Sequence, residues 1–472
     1  MVRVSLASLL SQRAAAAVFV LGVLTLSGCS SMSTRKGFYE PITAELRRDS
    51  FDLAAQKLNE AAAKGRFGNK DRLLFYLDGG LAEHYAHRFD SSNIRLSEAE
   101  SAADELFTRG ISRAALSLVL NDNALEYAGE DYEILYANLI KALNYAALDD
   151  YEGSLVEIKR ATERLNLLEQ KYRDAAQALQ NGDSSDTARV KVEYAAKAVR
   201  FNNSAFARYL GMHLYATAGQ YDDARVDQNM FQSAFAEQPL IYPFPAPNVK
   251  LANDSEAVLS VVGLAGLSPV KEAMDLRIRT DKQLNLVQVL YTDPQGRESQ
   301  YGQLPIPVSE DYYFKFSIPQ LVARPTAITR VRVLADGKPA GELQLLEDVG
   351  AVATETFEAK KSLIYLRSLA RAVFKGLATH KMKKKADTGG AEGWLKKLVI
   401  DVGADIIENA DLRCSRLLPG KIYAGDFKIE SGTYDLTIEF IGGDGTVVSS
   451  RRIDKYRVTA RGFNLVEAVS LK

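Results

Sequence analysis

Glu83-His84-x-x-His87 is the place in this 472-residue chain where residue types and spacing most suggest chemistry, because two of the four histidines fall one helical turn apart. Imidazoles at that spacing share a helix face and could ligate a metal ion together. The order is neither H-E-x-x-H nor H-x-x-E-H, and no third ligand lies nearby, so a packed or solvated pair is the expectation. No serine sits in a G-x-S-x-G turn, and no G-x-x-x-x-G-K-[ST] loop occurs. Gly442-Gly443-Asp444-Gly445 lacks the strand–loop–helix setting of a phosphate loop and reads as a hairpin turn. The acid pairs Asp149-Asp150 and Asp222-Asp223 stand where helices start, where a carboxylate accepts orphan amide hydrogens. The residues therefore predict no catalytic set, no metal, no cofactor and no small-molecule substrate.

One other residue carries chemistry of a different kind. Leu26-Ser27-Gly28-Cys29 follows the apolar run Ala14 to Leu26 and the cations Arg3 and Arg13. A charged start, a short apolar stretch and small residues before a cleavage point make a secretory signal, too short to span a bilayer, which takes roughly 20 residues. The four residues closely resemble the lipobox of bacterial lipoproteins. That resemblance implies that residues 1–28 are removed and that Cys29 is acylated and becomes the mature N-terminus. Ser30 and Ser31 follow rather than an Asp, which favours the outer membrane and its periplasmic face over inner-membrane retention. Lipid chains on one cysteine exceed the two signals that stable anchoring needs.

Apolar residues make up 47% of the chain and charged residues 25%, the balance of an ordinary globular protein. Loss of Arg3 and Arg13 takes the formal charge from −1 to −3, which excludes a global bias towards nucleic acid. With Cys29 lipidated, Cys414 has no partner for an intramolecular disulfide and reads as a small buried apolar residue.

These residues must be positioned by two kinds of element. From Pro41 to Ala236 apolar residues recur at three- and four-residue spacing, the pattern of amphipathic helices. One short signature recurs there: an aromatic beside an acid, then a small residue three positions after the aromatic. Phe51, Phe89, Tyr151 and Tyr221 start it, with Ala54, Ser92, Ser154 and Ala224 as the small residues. Each case looks like the turn and second helix of a tetratricopeptide repeat. Upstream, Gly80, Tyr145 and Tyr215 fit its first helix. The aromatics are separated by 38, 62 and 70 residues, against a repeat period of about 34. Insertions are therefore expected, around Ser101 to Leu120 and Gln180 to Asp186.

Asn121-Asp122-Asn123-Ala124-Leu125, Tyr127, Gly129-Glu130-Asp131-Tyr132-Glu133, Ala142-Leu143-Asn144-Tyr145, Asp150-Tyr151-Glu152-Gly153 and Val156-Glu157 carry a more specific resemblance. So do Asp71, Leu73-Leu74, Tyr76, Leu77-Asp78, Gly80, Ser92 and Ala99-Glu100. Near the C-terminus Ala410-Asp411-Leu412-Arg413, Leu417-Leu418-Pro419, Ile422 and Ser431-Gly432-Thr433-Tyr434 extend it. Together they are similar to a family of uncharacterised bacterial lipoproteins with tetratricopeptide-like repeats. That family more often has a Trp and a different residue where this chain has Ser415 and Cys414. The resemblance implies a location and a scaffold, and no reaction.

Tyr242-Pro243-Phe244-Pro245-Ala246-Pro247 stops the helices and favours an extended linker. Beyond it, strand-like runs begin at Ala257, Leu284, Tyr312, Ile328 and Glu342. They resume at Lys421, Thr433, Thr446 and Lys455, with turns at Asp293-Pro294-Gln295-Gly296 and Asp336-Gly337. Between the two sets, residues 360–409 read as a helical hairpin. Its first helix ends in Lys381, Lys383, Lys384 and Lys385, cations that could contact an anionic envelope surface or simply be solvated.

The expected architecture is α+β. It comprises a signal peptide at 1–28, a helical repeat domain at 29–240, a linker at 241–250 and a β-sandwich-like domain at 251–472. The expected role is an outer-membrane-anchored scaffold or assembly factor for a cell-envelope protein complex. The alternative is a regulator or enzyme of peptidoglycan or envelope glycan metabolism, with a carboxylate pair that converges only in the fold.

Overall fold

The computed structural model describes residues 36–112, 125–180, 201–251, 257–281, 283–293, 295, 297–304, 313–361, 364–365, 410–460 and 462–472. The fold is mixed α+β, with N-terminal helices followed by a nearly closed β sheet. The helices are α1 (Lys36–Arg47), α2 (Phe51–Ala63), α3 (Arg72–Tyr85), α4 (Phe89–Ser112), α5 (Asp131–Ala147), α6 (Tyr151–Gln180), α7 (Ala205–Thr217) and α8 (Tyr221–Glu237). They form four antiparallel pairs, and each helix also packs on the next in the chain.

All four pairs turn in the same way. Phe51, Phe89, Tyr151 and Tyr221 are the first residues of α2, α4, α6 and α8. Two positions before each aromatic, Asp49, His87, Asp149 and Gly219 have φ of 63°, 57°, 59° and 73°. This left-handed residue ends the first helix, as in a Schellman-type cap. The next residue's amide then donates back to the carbonyl five residues earlier: Ser50 to Glu45, Arg88 to Glu83, Asp150 to Tyr145 and Gln220 to Tyr215, at 2.8–3.0 Å. The small residue after the turn lets the helices close up. Ser92 and Ser154 each donate from Oγ to a carbonyl twelve residues back, Gly80 and Ala142, at 2.8 Å. α4 and α6, at 24 and 30 residues, are much longer than α2 and α8. Part of the excess spacing is thus extra turns on second helices; Ser101 to Ser112 belongs to α4. Residues 113–120 and 181–186 lie outside the described residues.

The strands are β1 (Val258–Leu267), β2 (Val270–Asp281), β3 (Leu286–Thr292), β4 (Glu298–Leu304), β5 (Tyr313–Val322), β6 (Ile328–Ala335), β7 (Lys338–Asp348), β8 (Pro419–Lys428), β9 (Gly432–Gly442), β10 (Val447–Val458) and β11 (Asn464–Ser470). Seven of them pair in the order β10-β9-β6-β7-β8-β1-β11, and the other four as β4-β3-β2-β5. All pairs are antiparallel except β1 with β11, which is parallel. The outer strands of the larger sheet approach each other, with Arg451 Nε donating to the Val469 carbonyl at 2.9 Å. The sheet's own curl encloses an apolar interior of Leu259, Val261, Val331, Val333, Leu436, Ile438 and Phe440. Asp336 and Gly337, with φ of 50° and 75°, make the β6–β7 hairpin turn in the form expected of an Asp-Gly pair.

β1 is the hinge of the architecture. Its run Val-Leu-Ser-Val-Val-Gly-Leu-Ala-Gly-Leu is buried along its whole length. One face lines the sheet interior, and the other places Val262 and Leu264 in a continuous core with α1, α3, α5 and α7. The chain turns helical directly after β7, at 349–361 (α9), because Asp348 accepts the Ala351 amide at 3.0 Å and caps it. The helix expected from Lys360 therefore starts eleven residues earlier. Residues 241–250 run along the sheet, tied by Asn248 N to Gln344 Oε1 and by Lys250 N to Asp426 Oδ2, at 2.8 and 2.9 Å. Cys29, Leu26, Ser27, Gly28 and the cations Lys381, Lys383, Lys384 and Lys385 lie outside the described residues.

Candidate functional site

The helical and β layers meet along a seam of buried polar side chains, to which the first helices α3, α5 and α7 contribute. α5 shows why the sequence builds one. Glu133, Asn138, Lys141 and Asn144 punctuate an otherwise apolar helix, and all four are buried; Glu133 and Asn144 lie in this seam, whereas Asn138 and Lys141 meet Glu100 on α4 and Glu157 on α6. A buried polar group without a partner costs about 1–3 kcal/mol, so each must be met by another element.

At the centre, residues 410–418 cross between the layers. Ser415 donates from Oγ to Asp78 at 2.6 Å and from its amide to Glu133 at 2.5 Å. Glu133 also accepts from Tyr127 Oη at 2.7 Å and from the Glu130 amide at 2.8 Å. Burial, then the charge of Glu130, pushes the Glu133 carboxyl up to about 7, while burial pushes Asp78 up to about 6. Burial acts on Glu130 too, but the ammonium groups of Lys271 and Lys360 outweigh it and hold its carboxyl at about 2. Arg413 is clamped by Asp411 at 2.8 Å and Asp71 at 3.2 Å, with its guanidinium over the Tyr127 ring. Cys414 accepts from the Lys271 amide at 3.3 Å, and burial pushes its thiol up to about 11. It is a packed, buried residue.

His84 is the second centre. Its Nε2 lies 2.8 Å from Glu467 on β11, and its Nδ1 2.6 Å from Oδ1 of Asn144. The Asn144 amide is oriented, because its Nδ2 donates to Ser92 and Asn93 at 2.9 Å. Both ring nitrogens therefore face acceptors, which only the imidazolium satisfies. Burial disfavours that charge, but Glu467 and the hydrogen bonds outweigh it and raise the pKa. His87 stands at the left-handed turn position, exposed and edge-on to Phe89. The two histidines share no ligand position, and among the described residues no group of three His, Cys, Asp or Glu is placed to hold a metal ion.

Two further carboxylates tie α7 to the sheet. Glu347, turned inward by a bulge in β7, accepts from Tyr136 at 2.5 Å, Tyr242 at 2.8 Å, Ser204 at 2.9 Å and the Phe206 amide at 3.1 Å. It meets the N-terminus of α7, where amide hydrogens have no helical partner. Asp426 accepts from Tyr209 at 2.6 Å and Ser260 at 2.8 Å and faces His213 Nε2 at 3.2 Å. Burial would raise its pKa, but the charge of His213 and these hydrogen bonds lower it.

Asp71, Asp78, Glu130, Glu133, Asn144, Asp411 and Arg413 fall in this seam. They hold the two layers together. On the opposite side, among the described residues, α2, α4, α6 and α8 present exposed side chains such as Asp52, Ile94, Val156 and Val226. A shallow cavity of about 380 Å³ at the far end of the sheet is lined by Ser431, Gly432, Thr433, Arg457, Val458, Thr459 and Ala460. Among the described residues no helix is long and apolar enough to cross a membrane. Comparison with family models, curated proteins and solved structures finds no match.

Proposed function

We propose that this chain is a lipid-anchored scaffold of the bacterial cell envelope, held at the periplasmic face of the outer membrane through Cys29. In this reading its N-terminal helices form a tetratricopeptide-like array, and the array presents a surface to an envelope protein partner. The observation that carries the reading is the fourfold recurrence of one turn, from Asp49-Ser50-Phe51 to Gly219-Gln220-Tyr221. Stacked helix pairs of one geometry form an extended surface suited to polypeptide partners. The lipobox supports the anchor, and anchoring raises the effective concentration near envelope partners.

The seam adds a constraint. The first helices of such an array are where a ligand peptide would meet it, and here they are buried under β1, β8, β11 and residues 410–418. Recognition therefore falls to the second helices and to the outer face of the sheet. Crosslinking of intact cells followed by mass spectrometry tests the scaffold: reproducible crosslinks to one envelope protein are expected. No reproducible partner, together with turnover of an envelope substrate by the pure protein, would overturn it. Palmitate labelling of wild type but not of Cys29→Ser tests the anchor.

A further inference from the structure

The second helices repeat more than their turns. Five residues after the turn aromatic stand Ile94, Val156 and Val226, β-branched aliphatics at one register of α4, α6 and α8. They are 64%, 46% and 58% exposed. α4 and α6 are neighbours, with Arg164 on α6 reaching Glu100 and Asp104 on α4 at 2.9 and 3.1 Å; α6 and α8 both pack on α7, with Ile158 and Asp227 beside Gly211. Of the eleven large apolar side chains exposed among the described residues, seven lie on the second helices. Scattered exposed apolar residues need no explanation, but a row in register does.

Charge says what fits it. Four residues before each aliphatic stands an acid, Asp90, Glu152 and Asp222, on the same helix face. Among the described side chains of the four second helices ten acidic ones are exposed against three cationic ones, Lys159, Arg160 and Arg225. An anionic lipid surface is repelled by such a face. A second copy would set acid on acid. A cationic amphipathic segment satisfies both features, its aliphatics covering the row and its cations facing the acids.

We propose that the outer face of α4, α6 and α8 is a docking surface for a basic, amphipathic helical segment of a partner protein. The proposal rests on the scaffold reading and assigns the surface and the partner's chemistry. The test uses the full-length lipidated protein in nanodiscs of neutral lipid and a labelled Leu/Lys amphipathic helix as probe. A scrambled peptide of the same composition is the control. Wild type should bind the ordered peptide over the scrambled one. The variant Ile94→Ser/Val156→Ser/Val226→Ser should bind roughly tenfold or more weakly. Asp90→Asn/Glu152→Gln/Asp222→Asn should lose affinity and much of its salt dependence. All six positions are exposed, so unchanged circular dichroism will show both variants folded; the urea midpoint of the aliphatic variant should hold, and that of the acid variant should fall slightly, because its three carboxylates stand in first helical turns.

Equal affinity of the aliphatic variant and wild type would overturn the proposal. So would dimerisation that the aliphatic variant abolishes, which assigns the face to a second copy, or binding to anionic vesicles that it abolishes, which assigns it to lipid. Cellular crosslinks that persist in the variant would leave the scaffold standing and remove only this surface from it.

Discussion

Replacing Glu347 tests whether the buried seam holds the two layers together. Glu347→Ala removes the acceptor for four donors at once. One of them has other recourse: Tyr242 Oη lies 3.4 Å from the Asn203 carbonyl. Tyr136 Oη, Ser204 Oγ and the Phe206 amide lose the acceptor for their hydrogens. At about 1–3 kcal/mol for each orphaned donor, less the desolvation recovered by removing the carboxyl, the expected loss is about 3 kcal/mol. Glu347→Gln keeps one carbonyl acceptor in the same place and should cost about 1 kcal/mol. Burial raises the Glu347 pKa. A raised folded-state pKa gives stability that is complete below the unfolded value, about 4.3, and is lost as pH rises through the folded value. Glu347→Gln should remove that part of the pH dependence. Urea unfolding by circular dichroism measures the energies, and hydrogen exchange at Phe206 reports the freed α7 terminus. A loss under about 1 kcal/mol for Glu347→Ala, or equal losses for both variants, would refute the reasoning.

The imidazolium of His84 should add a second pH dependence. Its raised pKa means stability complete below about 6.5 and lost as pH rises through the folded value, so unfolding free energy should fall as pH rises above about 6.5 and do so less in His84→Gln. Lys141, fully buried between Glu100 at 2.9 Å and Glu157 at 3.0 Å, should be costly to neutralise. Lys141→Met is expected to lose about 1–3 kcal/mol in urea melts, because it removes the buried cation between the two carboxylates while Arg164 still meets Glu100 at 2.9 Å and Arg160 still meets Glu157 at 3.0 Å. Burial opposes the Glu100 charge, but Lys141 and Arg164 hold its pKa at about 2. Its stability contribution is therefore present above about 4.3 and lost as pH falls towards 2, and Glu100→Gln should flatten that acid limb. Gly80→Ala should lower stability by about 1–3 kcal/mol, because a Cβ there would stand 2.5 Å from Leu96 Cγ between α3 and α4.

The helical pairs were legible because their signals are local. An aromatic, a small residue three positions on and apolar spacing of three and four mark each turn within a dozen residues, and the left-handed residue sits at a fixed offset. Strands were legible where the apolar run is continuous, as in β1, or where a turn signal bounds it, as at Asp336-Gly337. β2, β4 and β11 were missed. β2 carries Lys271, Glu272, Asp275, Arg277 and Arg279, so its charges mask the alternation. β10 reads as two strands because Lys455, with φ of 54°, bulges it between Ile453 and Tyr456. The seam was out of reach because its partners lie far apart in sequence: Tyr136 and Glu347 by 211 residues, His84 and Glu467 by 383. One sign was present. α5 carries polar residues on faces that its apolar residues require to be buried, and such a helix must be met by polar partners from elsewhere.

That sign also explains why the layers act as one unit. Without the sheet, His84 loses Glu467, Asp78 and Glu133 lose Ser415, and the N-terminus of α7 loses Glu347. Without the helices, Asp426 loses Tyr209 and His213, and Arg413 loses Asp71. Buried groups of this kind add little net stability when satisfied but cost several kcal/mol when one partner is removed. The seam therefore selects one docking of helices on strands more than it strengthens it. An apolar face alone would tolerate sliding by a helical turn, whereas a carboxylate that must meet Ser415 or Phe206 does not. The same fixed register holds α4, α6 and α8, which carry Ile94, Val156 and Val226 at one offset from their turns, so the inner seam is the physical condition for a constant outer surface.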